Sequence, residues 1–152
     1  MKWSETTVVN SALARVHAAV ADENELLQWS AWPAATGYSC RIDGDGCSVG
    51  STIVFVDRRG VVQGRQVLHA VGADVVEYRL RNRGPGGREM TPNVTFTFED
   101  LDGAQTRVRL DFAATAPLPP VVRQLVETAM SRRVRRLHVK DLEQLKQHVE
   151  SR

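Results

Sequence analysis

Residues 119–149 read PPVVRQLVETAMSRRVRRLHVKDLEQLKQHV, and this stretch decides the fold. It predicts one unbroken amphipathic helix. Pro117-Leu118-Pro119-Pro120 stops whatever strand precedes it, and a proline in the first helical turn is harmless because that N–H has no intrahelical partner. At about 100° per residue, Val122, Leu125, Val126, Ala129 and Met130 share one face. Val134, Leu142, Leu145 and Val149 form a stripe rotated away from that face, with Leu137 between them. Such a drift suits a helix whose first half lies over an open sheet. Its second half would pack sideways against the sheet's other elements or the N-terminal helices.

The sheet is written upstream. Val94, Phe96 and Phe98 alternate with Asn93, Thr95, Thr97 and Glu99, and Val108, Leu110 and Phe112 alternate with Arg107, Arg109 and Asp111. Val76, Tyr78 and Leu80 do the same against Glu77, Arg79 and Arg81. Three successive strands with one wet and one apolar face describe an antiparallel sheet that needs a cover, and the terminal helix is that cover. Residues 36–43, 50–58 and 61–70 predict further strands, joined by turns such as Asp57-Arg58-Arg59-Gly60. Near the start, Thr6–Asn10 predicts a short strand, and Ser11 is placed to cap a helix over 12–21. Asp22 caps a second short helix carrying Leu26, Leu27 and Trp29, which ends in a loop Ser30-Ala31-Trp32-Pro33. The expected class is α+β: a curved antiparallel sheet of about seven strands, two small helices and one long C-terminal helix, in one domain over residues 1–152. A bent sheet gripped by one helix does not fill its own middle with side chains, so an internal cavity is expected.

Composition excludes more than it selects. The chain has 152 residues, 20 Lys and Arg against 18 Asp and Glu, and a formal net charge of +2, too little to imply nucleic acid as a partner. No stretch approaches a membrane span and no secretory leader is visible, so a cytoplasmic protein without stable membrane insertion is expected. The sequon Asn93-Val94-Thr95 is then idle and reads as strand. Cys40 and Cys47 flank a turn and read as reduced thiols, since no further ligand stands at metal-motif spacing. No metal and no cofactor is expected, and either a monomer or a homodimer fits.

The order strand, two small helices, meander, long helix resembles the START-like, Bet v 1-like helix-grip superfamily, specifically its polyketide cyclase/dehydrase and lipid-transport group. The resemblance rests on Val20-Ala21-Asp22, the segment Leu26 to Pro33 with its two tryptophans, Val49-Gly50-Ser51, and Gly103-Ala104-Gln105-Thr106-Arg107-Val108. It spans nearly the whole chain. It implies an internal site for a small hydrophobic or amphipathic molecule, such as a lipid, polyketide or isoprenoid-like compound; it does not imply catalysis. The residues expected to line that site are Phe55, Tyr78, Phe96, Phe98, Leu110 and Phe112 from the sheet. Val122, Leu125, Val126, Ala129 and Met130 would face them from the helix. Tyr78 would supply one directional polar contact. Trp29 and Trp32 either gate the entrance or anchor their loop to the core.

Catalytic machinery is harder to place. His17, His69, His138 and His148 have no partner nearby in sequence, and only His69 falls on a strand, where its parity is ambiguous. Glu77 and Asp111 belong to wet faces. No nucleophile motif appears, and no convergent set of polar groups can be assembled, which counts against an enzyme. Arg132, Arg133, Arg136 and Lys140 form either a solvated face balanced by Glu127, Asp141 and Glu143, or an anion-attracting patch at the cavity mouth. Reversible ligand binding or transport is therefore the expected function. Alternatives are a polyketide aromatase/cyclase or dehydratase, and an interaction module whose cavity is filled.

Overall fold

Alternation of apolar and polar residues sets the register of the sheet, because each strand must turn its apolar side to the same face. The computed structural model describes residues 1–151. Strand β1 (Lys2–Val9) leads into helices α1 (Leu13–Ala21), α2 (Glu23–Trp29) and α3 (Trp32–Thr36). There follow β2 (Ser39–Asp43), β3 (Thr52–Val56), β4 (Val62–Gly72), β5 (Val75–Arg83), the two-residue β6 (Glu89–Met90), β7 (Asn93–Asp100) and β8 (Thr106–Ala113). Helix α4 (Pro120–Glu150) closes the fold with 31 residues, about 46 Å at 1.5 Å per residue. The strands form one antiparallel sheet in the order β1-β8-β7-β5-β4-β3-β2, with β6 added beside β5. This is the helix-grip fold.

Across β7 and β8 the pairs Val94–Phe112, Phe96–Leu110 and Phe98–Val108 are buried on the concave face. The alternate pair Glu99–Arg107 forms an ion pair at 2.8 Å on the exposed face. β1 extends this face: Trp3 lies opposite Phe112 and stacks on it, ring centroids 4.4 Å apart. The strand therefore starts at Lys2, four residues before the expected Thr6, because Trp3 is itself an inward residue. In β4 the register slips between Leu68 and Ala70, which makes His69 the extra residue of a bulge and accounts for its ambiguous parity.

The helices depart from expectation in three places. Ser11 does not cap α1, whose N-cap is Ala12 without a side-chain bond; the Ser11 carbonyl instead accepts from Thr106 Oγ1 at 2.9 Å. Asp22 does cap α2, accepting from the Asn24 amide at 2.9 Å. Trp32-Pro33, expected as loop, opens α3, where the proline occupies the first turn it can occupy without losing a bond.

The third departure concerns α4. Its buried residues are His138, Asp141, Leu142, Leu145 and Val149, all in the second half, while Val122 and Leu125 are 48 and 72% exposed. The first half does not lie over the sheet with its apolar face down. Instead Glu127 turns inward, accepting from the Ala116 amide at 2.9 Å. At about 100° per residue, Val122 and Leu125 lie about 140° and 160° round the helix from Glu127 and so point outward. Met130, Val134, His138, Asp141, Leu142, Leu145 and Val149 all fall within about 60° of Glu127. The inward stripe is thus continuous, and three of its members are polar.

Candidate functional site

Where the middle of α4 crosses the sheet, the two do not meet solidly. A cavity of about 370 Å³ remains between the sheet, the α2–α3 segment and α4. Its floor is Val94, Phe96, Leu110 and Phe112, with Phe55 and Leu80 further along the sheet. Leu26, Trp29 and Trp32 form one wall, and Met130, Val134 and Leu137 form the roof. The lining is mostly apolar, and the volume sits near the lower end of the roughly 300–1,000 Å³ typical of small-molecule sites. A wider depression of about 520 Å³ on β4, β5 and the 84–87 turn is open to solvent and rimmed by Arg65, Arg81 and Arg83; Arg81 is already paired with Glu89. It adjoins the cavity through Gln63, Gly64, Asn82 and Arg83.

Of the residues expected at the site, Trp29, Trp32, Phe55, Phe96, Leu110, Phe112 and Met130 line the cavity. Tyr78 and Phe98 do not. Tyr78 is fully buried and its hydroxyl donates to the Val20 carbonyl at 2.7 Å, tying β5 to the end of α1. Burial pushes its phenol far up, so it stays protonated as a donor. Phe98 meets the ring of His17 edge-on, centroids 5.3 Å apart. Val122 and Leu125 are solvent-facing, and Val126 and Ala129 stand outside the wall for the same helical-phase reason. His69, the one strand histidine, is also outside it.

Both tryptophans of the α2–α3 segment anchor it. Trp29 donates its indole N–H to the Ala19 carbonyl at 2.9 Å, and Trp32 donates to Asp141 Oδ2 at 2.9 Å. Asp141 Oδ1 accepts the Ala31 amide at 2.7 Å and, weakly, the Ser30 hydroxyl at 3.5 Å. One carboxyl on α4 thus clamps three consecutive residues. Burial pushes Asp141 up to about 7, and its hydrogen bonds to Ala31, Trp32 and Ser30 offset only part of that.

Polar groups do converge on the space. Gln66 of β4 and Asn82 of β5 lie on the inward parity of their strands and reach the lining, as do Tyr38 and Arg133. Asn82 stands over its cross-strand neighbour Gly64, where any Cβ would collide with the amide. His138 contributes from α4, one turn before Asp141. Its ring is packed among Phe112, Trp3 and Trp32, with centroids at 4.8, 5.7 and 5.7 Å. Trp3 Nε1 donates to His138 Nδ1 at 3.1 Å, and burial lowers the imidazole to about 4, so it is neutral. Sequence reasoning passed over His138 and Asp141 because their partners, Trp3 and Ala31–Trp32, lie more than a hundred residues away. The available signal was two polar residues, three apart, inside the apolar stripe of α4.

Among the described residues no group of three or more His, Cys, Asp or Glu could hold a metal ion, and Cys40 and Cys47 are free thiols. No described helix is long and apolar enough to cross a membrane.

The fold and the hollow define a helix-grip protein with an internal apolar chamber. The chain belongs to the polyketide cyclase / dehydrase and lipid transport family, whose model matches residues 1–150. Solved structures agree on the fold. A protein of Chromobacterium violaceum is similar at 17% identity over 98% of this chain and 96% of its own, with a TM-score of 0.69. A conserved protein of Geobacillus kaustophilus reaches a TM-score of 0.70 at 8% identity, covering 99% of this chain and 96% of its own. A Mycobacterium smegmatis protein gives 0.66 at 13% identity, covering 99% and 91%. The chain matches no curated protein.

Proposed function

We propose that this protein reversibly binds or carries a small hydrophobic or amphipathic molecule, lipid-, polyketide- or isoprenoid-like, within the chamber under α4. The observation that carries the reading is the chamber itself, about 370 Å³ with a largely aromatic and aliphatic wall and a few polar groups. An apolar lining of that size gains by exchanging water for an apolar guest. Its size also weighs against an interaction module with a filled interior. The free thiols fit a reducing compartment such as the cytoplasm.

One observation favours a second reading. An aromatase/cyclase or dehydratase needs at least two polar side chains reaching the same pocket, and His138 and Asp141 meet that minimum. Asp141 already holds Ala31 and Trp32 with both its oxygens and so is not free to serve as the partner acid or base of His138, which favours binding over chemistry. Native mass spectrometry of the protein purified from its own host tests the primary reading. The wild type should carry a small lipophile, and Leu80→Trp, which fills the chamber from its half-buried floor, should lose it while keeping the same circular dichroism. A bare wild-type mass, or an adduct retained by Leu80→Trp, would overturn it.

A further inference from the structure

Hydrogen-bond chemistry fixes the state of His138. An indole N–H can only donate, so the Trp3 bond at 3.1 Å requires Nδ1 of His138 to be the acceptor. A neutral imidazole with an unprotonated Nδ1 carries its proton on Nε2. Among the described residues, the only side-chain atoms both sealed and without a partner are the two carboxylate oxygens of Glu23. The Nε2 of His138 makes no hydrogen bond within the protein and is not among the sealed atoms, and His138 lines the chamber; we take Nε2 to face it. Packing against Phe112, Trp3 and Trp32 holds the ring from turning.

We propose that His138 is the polar selector of the site: its Nε2–H, oriented by Trp3 and the surrounding aromatics, donates a hydrogen bond to an uncharged carbonyl oxygen of the bound molecule. This deepens the ligand-binding reading above and rests on it. The ligand class narrows to an apolar skeleton bearing a ketone, quinone or ester oxygen. A buried carboxylate would need a cation beside it; the imidazole is uncharged, and the two arginines of the lining, Arg83 and Arg133, are exposed residues that hold their charge at the solvent side. A ligand group that can only donate would find a donor facing it.

Two probes of matched shape separate the cases: 2-acetylnaphthalene, which has the acceptor, and 2-isopropenylnaphthalene, which does not. In the free protein, long-range ¹H–¹⁵N correlation of the imidazole should report the Nε2–H tautomer. Adding the ketone should shift the Nε2 and Nε2–H resonances; the olefin should bind without that shift. Trp3→Phe, which frees Nδ1, should populate the other tautomer and weaken the ketone roughly 3- to 10-fold relative to the olefin. If that variant fails to fold, the wild-type spectra alone decide. An Nδ1–H tautomer, or equal imidazole response to both probes, would overturn the proposal while leaving binding intact. Failure of both probes to bind would overturn the ligand-binding reading, and this inference with it.

Discussion

Asp141 offers a perturbation whose outcome depends on pH. Its carboxyl is raised from 3.8 to about 7 by burial. Below about pH 4 the folded and unfolded chains both hold the proton, and the full stability is present. Between about 4 and 7 the unfolded chain releases a proton that the folded chain keeps, so stability falls as pH rises; above 7 the loss is complete. Three units at roughly 1.4 kcal/mol each amount to about 4 kcal/mol. Asp141→Asn removes this dependence. The amide oxygen can still accept from Ala31 and Ser30, but its NH₂ faces the indole N–H of Trp32, donor against donor, which costs about 1–3 kcal/mol at any pH. About two of the three units lie between pH 5 and 8, so over that span the variant should gain about 3 kcal/mol on the wild type. It should be near wild-type or weaker at pH 5, and more stable at pH 8. Urea unfolding followed by tryptophan fluorescence measures this, since Trp3 and Trp29 are buried reporters. Other titrating groups are common to both proteins and cancel. An equal stability difference at the two pH values would refute the reasoning, leaving Asp141 an ordinary carboxylate held by its hydrogen bonds.

Further outcomes follow from the same geometry. Tyr78→Phe leaves the Val20 carbonyl without its buried donor and should cost about 1–3 kcal/mol in denaturant, with no change in affinity for a naphthalene probe, because Tyr78 is outside the chamber. Glu23 is fully buried with both oxygens unpartnered; burial raises it, and neighbouring Ser51 and the Ile53 amide oppose this without closing a bond of ordinary geometry. Glu23→Gln, which removes the buried charge, should therefore stabilise the fold at neutral pH and progressively less on acidification, as read from denaturation midpoints. Val122→Ser with Leu125→Ser should leave stability within about 0.5 kcal/mol, since both side chains face solvent.

The strands announced themselves because a half-wetted sheet must alternate, and β5, β7 and β8 do so without interruption. α4 was legible in length and start but not in phase. Hydrophobicity alone placed Val122, Leu125, Val126 and Ala129 inward, whereas Glu127 marks the true inward line with His138 and Asp141 further along it. Those polar residues are inward because each has a partner outside the helix: Ala116, eleven residues before Glu127, and Trp3 and Ala31–Trp32, more than a hundred residues from His138 and Asp141. Periodicity carries no information about such partners. The same limit explains Tyr78, whose alternation correctly gave a concave-face residue but whose hydroxyl belongs to α1 rather than to the chamber. Trp3 was overlooked because β1 is an edge strand whose first residues alternate with Lys2 and Ser4, leaving a single aromatic to signal the face.

The central claim is that a guest molecule occupies the space beneath α4. Intermolecular nuclear Overhauser effects between ¹³C-methyl-labelled protein and bound 2-isopropenylnaphthalene test it most directly. The account predicts contacts to the methyls of Leu80, Leu110 and Met130. Contacts confined to Val122 and Leu125, on the exposed face of the helix, would contradict it.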